Sequence, residues 1–236
     1  MNPQLFPRPK LVVFDLDNTF YEYDSAHEFA FSTLLSELQA ISGLPKITAL
    51  EIYENARAKV KIRLASTASS HSRLLYLSEF FSLLNLELNI LELLRIEDIY
   101  WDSFLFRMRL FPDSTNFVEK LLTLGIDCAL VTDLTSKIQY KKLEKLKLVN
   151  KFKFIITSEE AGGDKSTDLP WKLLDERAEL SQYSTIWYVG DSNFDLNPTM
   201  RRPTDIGLLK TNNGPFRRSG DLYTFSSFAE LVNLVN

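Results

Sequence analysis

The chain has 236 residues, 45% hydrophobic and 25% charged, so it is long enough to bury a core and too apolar to be disordered. Its 27 basic against 31 acidic residues give a net charge of -4, which excludes a general attraction to nucleic acid or anionic membranes. No apolar stretch is long enough to cross a bilayer, and the first ten residues lack the apolar segment of a secretion signal. Together with a single cysteine, Cys128, in an apolar run, these features predict a cytoplasmic protein.

The first predicted element is a short strand at residues 11–14 that ends in two acids, Asp15 and Asp17. The four strand residues are all apolar, as expected for a strand buried on both faces. Such a strand accommodates carboxylates only where it stops at a polar site that holds a cation. The two acids therefore mark a candidate site.

Residues 24–108 are almost entirely helical in pattern. The Asp24-Ser25 pair can cap a first helix that stops at Gly43, and Thr48 to Glu51 has the form of a capping box for a second helix to about 64. After a polar interruption at 66–72, two further helices are predicted, near 73–84 and 89–107. This segment is expected to be a helical bundle without strands.

From residue 111 onward, short apolar runs alternate with helical patterns. Strands are predicted at 127–131, 152–156, 185–189 and 206–209, and helices near 114–124, 136–147 and 170–180. This alternation indicates a parallel sheet with helices on both faces. The predicted fold is α/β: a Rossmann-like core of residues 1–20 and 109–236, with an inserted all-helical cap at 21–108.

Polar side chains follow several of these strands, at the sheet edge where open parallel sheets bind ligands. Carboxylates that converge there repel one another unless a cation is present, and oxygen ligands beside a phosphate favour Mg2+. A lysine and a hydroxyl add the groups that bind a phosphoryl group. The candidates are Asp15, Asp17, Thr132, Asp133, Lys165, Asp191 and Asp195.

These residues resemble the motifs of the haloacid dehalogenase superfamily. The first motif is similar to Asp15-Leu16-Asp17-Asn18-Thr19, the second to Thr132, the third to Lys165 and the fourth to Gly190 through Asp195. The four occur in the family order and span most of the chain. The helical insertion is similar to the family's C1 cap.

The resemblance implies a mechanism and a set of roles. Asp15 attacks phosphorus and forms an aspartyl-phosphate, while Asp17 protonates the leaving oxygen and later activates water. Dehalogenases of this fold lack the second acid because a halide needs no proton, so Asp17 favours phosphate esters. The implied Mg2+ ligands are Asp15, the backbone carbonyl of Asp17, and Asp191, with support from Asp195; Thr132, the adjoining Asp133, and Lys165 hold the phosphoryl group.

Some residues depart from the family pattern or allow a simpler interpretation. Many relatives have proline after the motif lysine, whereas Lys165 is followed by Ser166. His71 and Arg73, in the polar break of the helical segment, are candidate substrate contacts. Lys141-Lys142 and Lys145 to Lys147 are interpreted as the solvated side of a helix, so no nucleic-acid partner is expected.

The sequence thus predicts Mg2+-dependent hydrolysis of a small phosphorylated metabolite, either a nucleotide or a sugar phosphate. Two alternatives stay open: a phosphomutase of the same superfamily, and a ligand-binding or regulatory protein without turnover. The identity of the phosphoester and the oligomeric state do not follow from the sequence.

Overall fold

The structure is a computed structural model that describes residues 7–87, 89–196, 202–219 and 222–235. The chain divides into two compact units, one within Met1–Glu22 and Arg109–Asn236 and the other Tyr23–Met108. Most of the amino-terminal stretch on which the prediction about secretion rests lies outside the described residues. Within the described residues, every helix is too short or too polar to cross a membrane.

The second unit contains only helices among its described residues. They are α1 (Tyr23–Ser42), α2 (Lys46–Arg63), a short 3-10 helix (Ala68–His71), α3 (Arg73–Leu83) and α4 (Ile90–Arg107). α1 packs along α4, and α2 packs on α3. Buried aromatic rings of α3 and α4, among them Phe80, Tyr100 and Phe104, fill the space between the helices.

The predicted ends of these helices have mixed outcomes. Gly43, with φ of +67°, follows the last residue of α1 as predicted, because glycine adopts this left-handed conformation readily. The capping box at Thr48 is wrong: α2 already begins at Lys46, with Pro45 as its N-cap, so Thr48 lies inside the helix. Asp24 likewise lies in the first turn of α1 and not at its cap.

The first unit is built on a seven-stranded sheet. Its strands are β1 (Leu11–Phe14), β2 (Asp127–Thr132), β3 (Phe154–Thr157), β4 (Ile186–Gly190), β5 (Ile206–Lys210), β6 (Arg217–Ser219) and β7 (Leu222–Phe225). Their order is β3-β2-β1-β4-β5-β7-β6, and every neighbouring pair is parallel except β6 with β7. The predicted Rossmann-like α/β class is confirmed, since the first five strands have the 3-2-1-4-5 order of that fold.

The helices of this unit are α5 (Ser114–Thr123), α6 (Ser136–Lys145), α7 (Ser158–Ala161), α8 (Leu169–Ala178) and α9 (Phe228–Leu234). The sequence interpretation missed α7, α9, β6 and β7. A capping box does exist in the chain, but it opens α9: Ser227 accepts a backbone hydrogen bond, and Glu230 reaches back to the N-cap backbone.

Alternate residues of β1 face two separate apolar layers. Leu11 and Val13 belong to a cluster with Trp171 and Leu174 of α8. Phe14 points to the other side, where its ring lies 5.2 Å from that of Phe20 and contacts further aromatic rings. β1 is therefore buried on both faces, and its polar residues are confined to its carboxyl end.

Candidate active site

Asp15 is the first residue beyond β1 and lies at the centre of the site. Its backbone N–H donates to the carbonyl of Val189 at 2.9 Å, so the sheet hydrogen bonding fixes its position. The side chain is only 4% exposed, and its Oδ2 accepts a hydrogen bond of 2.9 Å from Thr19 Oγ1. Asn18, between the two, has φ of +61°, a conformation that asparagine tolerates better than most residues. The turn after β1 thus returns a hydroxyl to Asp15.

Lys165 joins two of the predicted acids. Its Nζ lies 2.5 Å from Asp15 Oδ1 and 2.5 Å from Asp195 Oδ1, in a place where all three side chains are buried. Burial alone would lower the pKa of Lys165, but these two carboxylates raise it well above its ordinary value. The lysine is therefore held as a cation between the ends of β1 and β4.

Hydrogen bonds fix the loop that carries Lys165. Its N–H donates to Asp133 Oδ1 at 2.9 Å, across from the end of β2. The chain then turns, and Thr167 closes the turn with a 2.8 Å hydrogen bond from its N–H to the carbonyl of Asp164. The Thr167 hydroxyl also donates to the Asp164 carbonyl at 2.7 Å, so three hydrogen bonds hold this loop.

Asp195 is fixed by the loop that follows β4. Its Oδ2 accepts hydrogen bonds from the Ser192 backbone N–H at 2.8 Å and from the Ser192 hydroxyl at 2.7 Å. The carboxylate packs directly on Gly190, where an added Cβ would lie 2.2 Å from Asp195 Cβ. Only glycine at the end of β4 leaves room for Asp195, which explains the glycine of this motif.

Asp15, Asp191 and Asp195 bring one carboxylate oxygen each within 4.8 Å of one another. Partial desolvation by neighbouring groups, followed by repulsion from Asp195, raises the pKa of Asp191 to about 6, although part of this side chain is exposed to solvent. Burial and the neighbouring acids also raise the pKa of Asp15 well above its ordinary value, although Lys165 opposes them. The cluster holds more negative charge than one lysine neutralises.

Oxygen ligands with surplus negative charge fit a hard divalent cation such as Mg2+. Asp191 is the exposed member of the cluster and is therefore suited to direct ligation of an ion from solvent. Both oxygens of Asp15 and of Asp195 already accept hydrogen bonds, from Lys165 and from Thr19 or Ser192, so the division of roles between these two acids stays a prediction.

The carboxylate of Asp17 turns toward α6. Both of its oxygens accept a hydrogen bond from Lys142 Nζ at 2.8 Å, and Tyr21 Oη donates a further one to Oδ1. Burial alone would raise the pKa of Asp17, but the charge and hydrogen bonds of Lys142, together with Tyr21, leave it below its ordinary value. Asp17 rests as an ionised carboxylate.

The interpretation of Lys142 as a solvated residue is wrong. Lys142 and Gln139 are both fully buried, three residues apart on one face of α6, together with the buried Leu143. Sequence reasoning missed this pair because lysine and glutamine are mostly exposed. The available signal was their spacing, which follows the apolar face of the helix.

Thr132 ends β2, and its side chain is 1% exposed. Its Oγ1 accepts a 2.6 Å hydrogen bond from Gln139 Nε2, which places it next to Asp17 by way of that amide. The Asp133 carboxylate accepts a hydrogen bond from the backbone N–H of Lys165. The phosphate contact predicted for Asp133 stays a prediction.

His71 and Arg73 lie in the helical unit and are described within it. Arg73 begins α3, is 7% exposed and stacks on the rings of Tyr100 and Trp101. Its guanidinium donates to the His71 carbonyl at 2.8 Å, to Tyr23 Oη at 2.7 Å and to Tyr100 Oη at 3.0 Å. These contacts give Arg73 a packing role, and its contact with substrate stays a prediction.

Comparison with known proteins supplies independent information. The family model for haloacid dehalogenase-like hydrolases matches residues 12–201. The chain is 35% identical over 202 residues to a ribulose-1,5-bisphosphate 5-phosphatase from Halopiger xanaduensis, a match that covers 84% of this chain and 81% of the relative.

Solved structures share the fold at lower identity. A haloacid dehalogenase-type phosphatase from Thermococcus onnurineus matches with a TM-score of 0.67 and 20% identity, covering 96% of this chain and 98% of its own. A magnesium-bound hydrolase of the same superfamily from Bacillus subtilis matches with a TM-score of 0.64 and 19% identity, covering 98% of this chain and 100% of its own. A 2-haloacid dehalogenase from Pseudomonas syringae matches with a TM-score of 0.68 and 18% identity, covering 96% of this chain and 97% of its own. At these identities the likeness concerns the fold alone.

Proposed function

Since this chain belongs to the haloacid dehalogenase-like hydrolases, we propose that it is a phosphatase that hydrolyses a small phosphomonoester with Mg2+ and a covalent phosphate on Asp15. The phosphatase relative at 35% identity supports the reaction class. The cluster of three carboxylates around one lysine supports a divalent cation. We further propose that the helical unit acts as the cap of this catalytic core.

The observation that carries the proposal is the second acid of the first motif. Folds of this kind also occur in dehalogenases, so the fold does not distinguish hydrolysis of a phosphate ester from removal of a halide. An alkoxide leaving group needs a proton, whereas a halide does not. Asp17, two residues after Asp15 and held by Lys142 and Tyr21, is a group that can transfer protons beside the nucleophile.

In the proposed first step, a carboxylate oxygen of Asp15 forms a bond to phosphorus while the bond from phosphorus to the ester oxygen breaks. Asp17, which takes up a proton when the negatively charged phosphate binds beside it, gives that proton to the departing oxygen, which leaves as an alcohol. Lys165 and Thr19 hold the two oxygens of Asp15 and so orient its attack. Bound Mg2+ supplies positive charge that offsets the negative charge of the phosphoryl group.

In the proposed second step, water attacks the phosphorus and releases inorganic phosphate, which restores the Asp15 carboxylate. Asp17 takes the proton from this water. The ionised resting state of Asp17, which Lys142 and Tyr21 favour, is the form that this step requires. Thr132 and Lys165 are the proposed contacts for the phosphoryl oxygens.

For the substrate, we propose a sugar phosphate. The relative at 35% identity acts on a sugar bisphosphate, and the match covers most of both chains. A nucleoside monophosphate is the second class that the sequence motifs allow.

The test is a phosphate-release screen with and without Mg2+. Sugar monophosphates, sugar bisphosphates and nucleoside monophosphates are compared, and chloride release from a 2-chloro acid is measured in parallel. The proposal expects Mg2+-dependent phosphate release with a preference for sugar phosphates. Chloride release without phosphate release would overturn it.

The same screen separates the open alternatives. A phosphomutase converts a sugar phosphate into its isomer with little free phosphate, which chromatography of the products detects. A ligand-binding protein binds a phosphoester with no turnover of any compound. Either result would replace the hydrolase assignment.

A further inference from the structure

One feature of the site lies outside the four family motifs: the inward face of α6, formed by Gln139 and Lys142. Both side chains are 0% exposed, although α6 also presents the exposed Lys145 to solvent. Lys142 Nζ is 2.8 Å from each oxygen of Asp17. Gln139 Nε2 donates to Thr132 Oγ1 at 2.6 Å and lies 3.5 Å from Asp17 Oδ2.

A fully buried ammonium is costly unless a fixed anion faces it. Lys142 Nζ lies at the same distance from the two oxygens of Asp17, and Tyr21 Oη donates to one of them, Oδ1. Such a set of donors leaves the carboxylate little freedom to rotate. Asp15, in contrast, is fixed by a different lysine, Lys165, which lies on the loop between α7 and α8 and not on α6.

We propose that Lys142 and Gln139 are positioning residues that hold the Asp17 carboxylate in the orientation from which it transfers a proton to the leaving oxygen. The inference rests on the proposed phosphatase function. It adds a second lysine to the site, with a role distinct from that of Lys165: one lysine orients the nucleophile, and the other orients the proton carrier.

A purely structural ion pair between α6 and the β1 turn is the competing explanation, and the two differ in a measurable way. Loss of a structural pair affects all substrates alike. Loss of proton-carrier alignment slows the first step for esters whose leaving oxygen needs a proton and spares the first step for esters that leave as stable anions, whereas the second step is common to both. The ratio of the first-step rates for the two kinds of ester therefore distinguishes a positioning role from a purely structural one.

The experiment measures the rate of leaving-group release in a single turnover with excess enzyme, which reports the first step alone, and compares 4-nitrophenyl phosphate, whose leaving group departs as an anion, with glycerol 3-phosphate, which releases an alcohol. For Lys142→Met we expect this rate to fall by about 100-fold or more with glycerol 3-phosphate, within the range of general acid catalysis, and by less than about tenfold with 4-nitrophenyl phosphate. KM should change little for either ester. Lys142→Arg should restore much of the lost rate, because it returns a donor for both oxygens.

Lys145→Met, an exposed lysine on the same helix, is the matched control and should leave both rates unchanged. Should Lys142→Met fail to fold, Gln139→Leu keeps the ion pair and removes the amide contact, so the rate ratio is measured in that variant. An equal loss on both esters would overturn the inference. If the wild-type protein hydrolyses neither ester nor any sugar phosphate, the proposed function itself has failed, which is a different result.

Discussion

Gly190 is the position where a single methyl group should disable the site. An alanine Cβ there would lie 2.2 Å from Asp195 Cβ and 2.6 Å from its Oδ2, whereas ordinary contact begins near 3.4 Å. The two carbons must therefore separate by more than 1 Å. Asp195 cannot move this far and keep its 2.5 Å contact with Lys165 and both bonds from Ser192. Overpacking of this kind typically costs about 1–3 kcal/mol.

For Gly190→Ala we expect the free energy of unfolding in urea to fall by about 1–3 kcal/mol, the usual range for overpacking. Mg2+-dependent phosphate release should fall far more than this loss of stability accounts for, because Lys165 loses a partner. The matched control is Gly125→Ala, where an added Cβ meets nothing within 4 Å but φ is +69°. In this variant the free energy of unfolding should fall by about 1–2 kcal/mol, because alanine is strained in a left-handed conformation, and the activity should be unchanged. Full activity in Gly190→Ala would refute the packing argument.

Further predictions concern the metal, a helix cap and the helical unit. Because the raised pKa of Asp191 favours its protonated form in the folded metal-free protein, stability should be lost as pH rises through about 6, and Mg2+ should raise Tm more at pH 7 than at pH 5. An equal Mg2+ effect at both pH values would contradict this. Ser227→Ala should lower the free energy of unfolding by about 1 kcal/mol, while Thr48→Ala inside α2 should leave it unchanged or slightly higher. Arg73→Met should keep more stability than Arg73→Ala, since the longer side chain still packs on Tyr100 and Trp101; equal melting temperatures would argue against the packing role.

The site elements at the ends of β1, β2 and β4 could be predicted because each follows an apolar run. A buried strand that stops at an acid or a hydroxyl leaves a clear local pattern, as Asp15 and Thr132 show. The sequence predicts that β3 starts at residue 152, two residues before its actual start at Phe154, because an apolar residue also precedes the strand. Phe152 is apolar, but it packs in the aromatic cluster beside Phe14 and precedes the strand.

Other elements depend on contacts that a local pattern does not contain. β6 consists of three exposed residues, so it has no hydrophobic alternation and exists only through its pairing with β7. The pattern at Thr48 predicts a helix start that does not occur there. The helix begins three residues after residue 43, directly behind Pro45, because proline is well suited to the start of a helix. The spacing of Lys142 along the apolar face of α6 is a local signal of burial, but its partner Asp17 lies 125 residues away and is not marked by any local pattern.

The most direct test of the account is Mg2+-dependent phosphate release by Asp15→Asn, measured with the best substrate of the wild-type screen. Asparagine keeps the shape of the side chain and an oxygen for Lys165, so thermal unfolding should show a folded protein. The account predicts a loss of turnover of about 10^4-fold or more, as expected when a nucleophile is removed. Turnover near the wild-type rate in the folded variant would show that Asp15 is not the residue that attacks phosphorus.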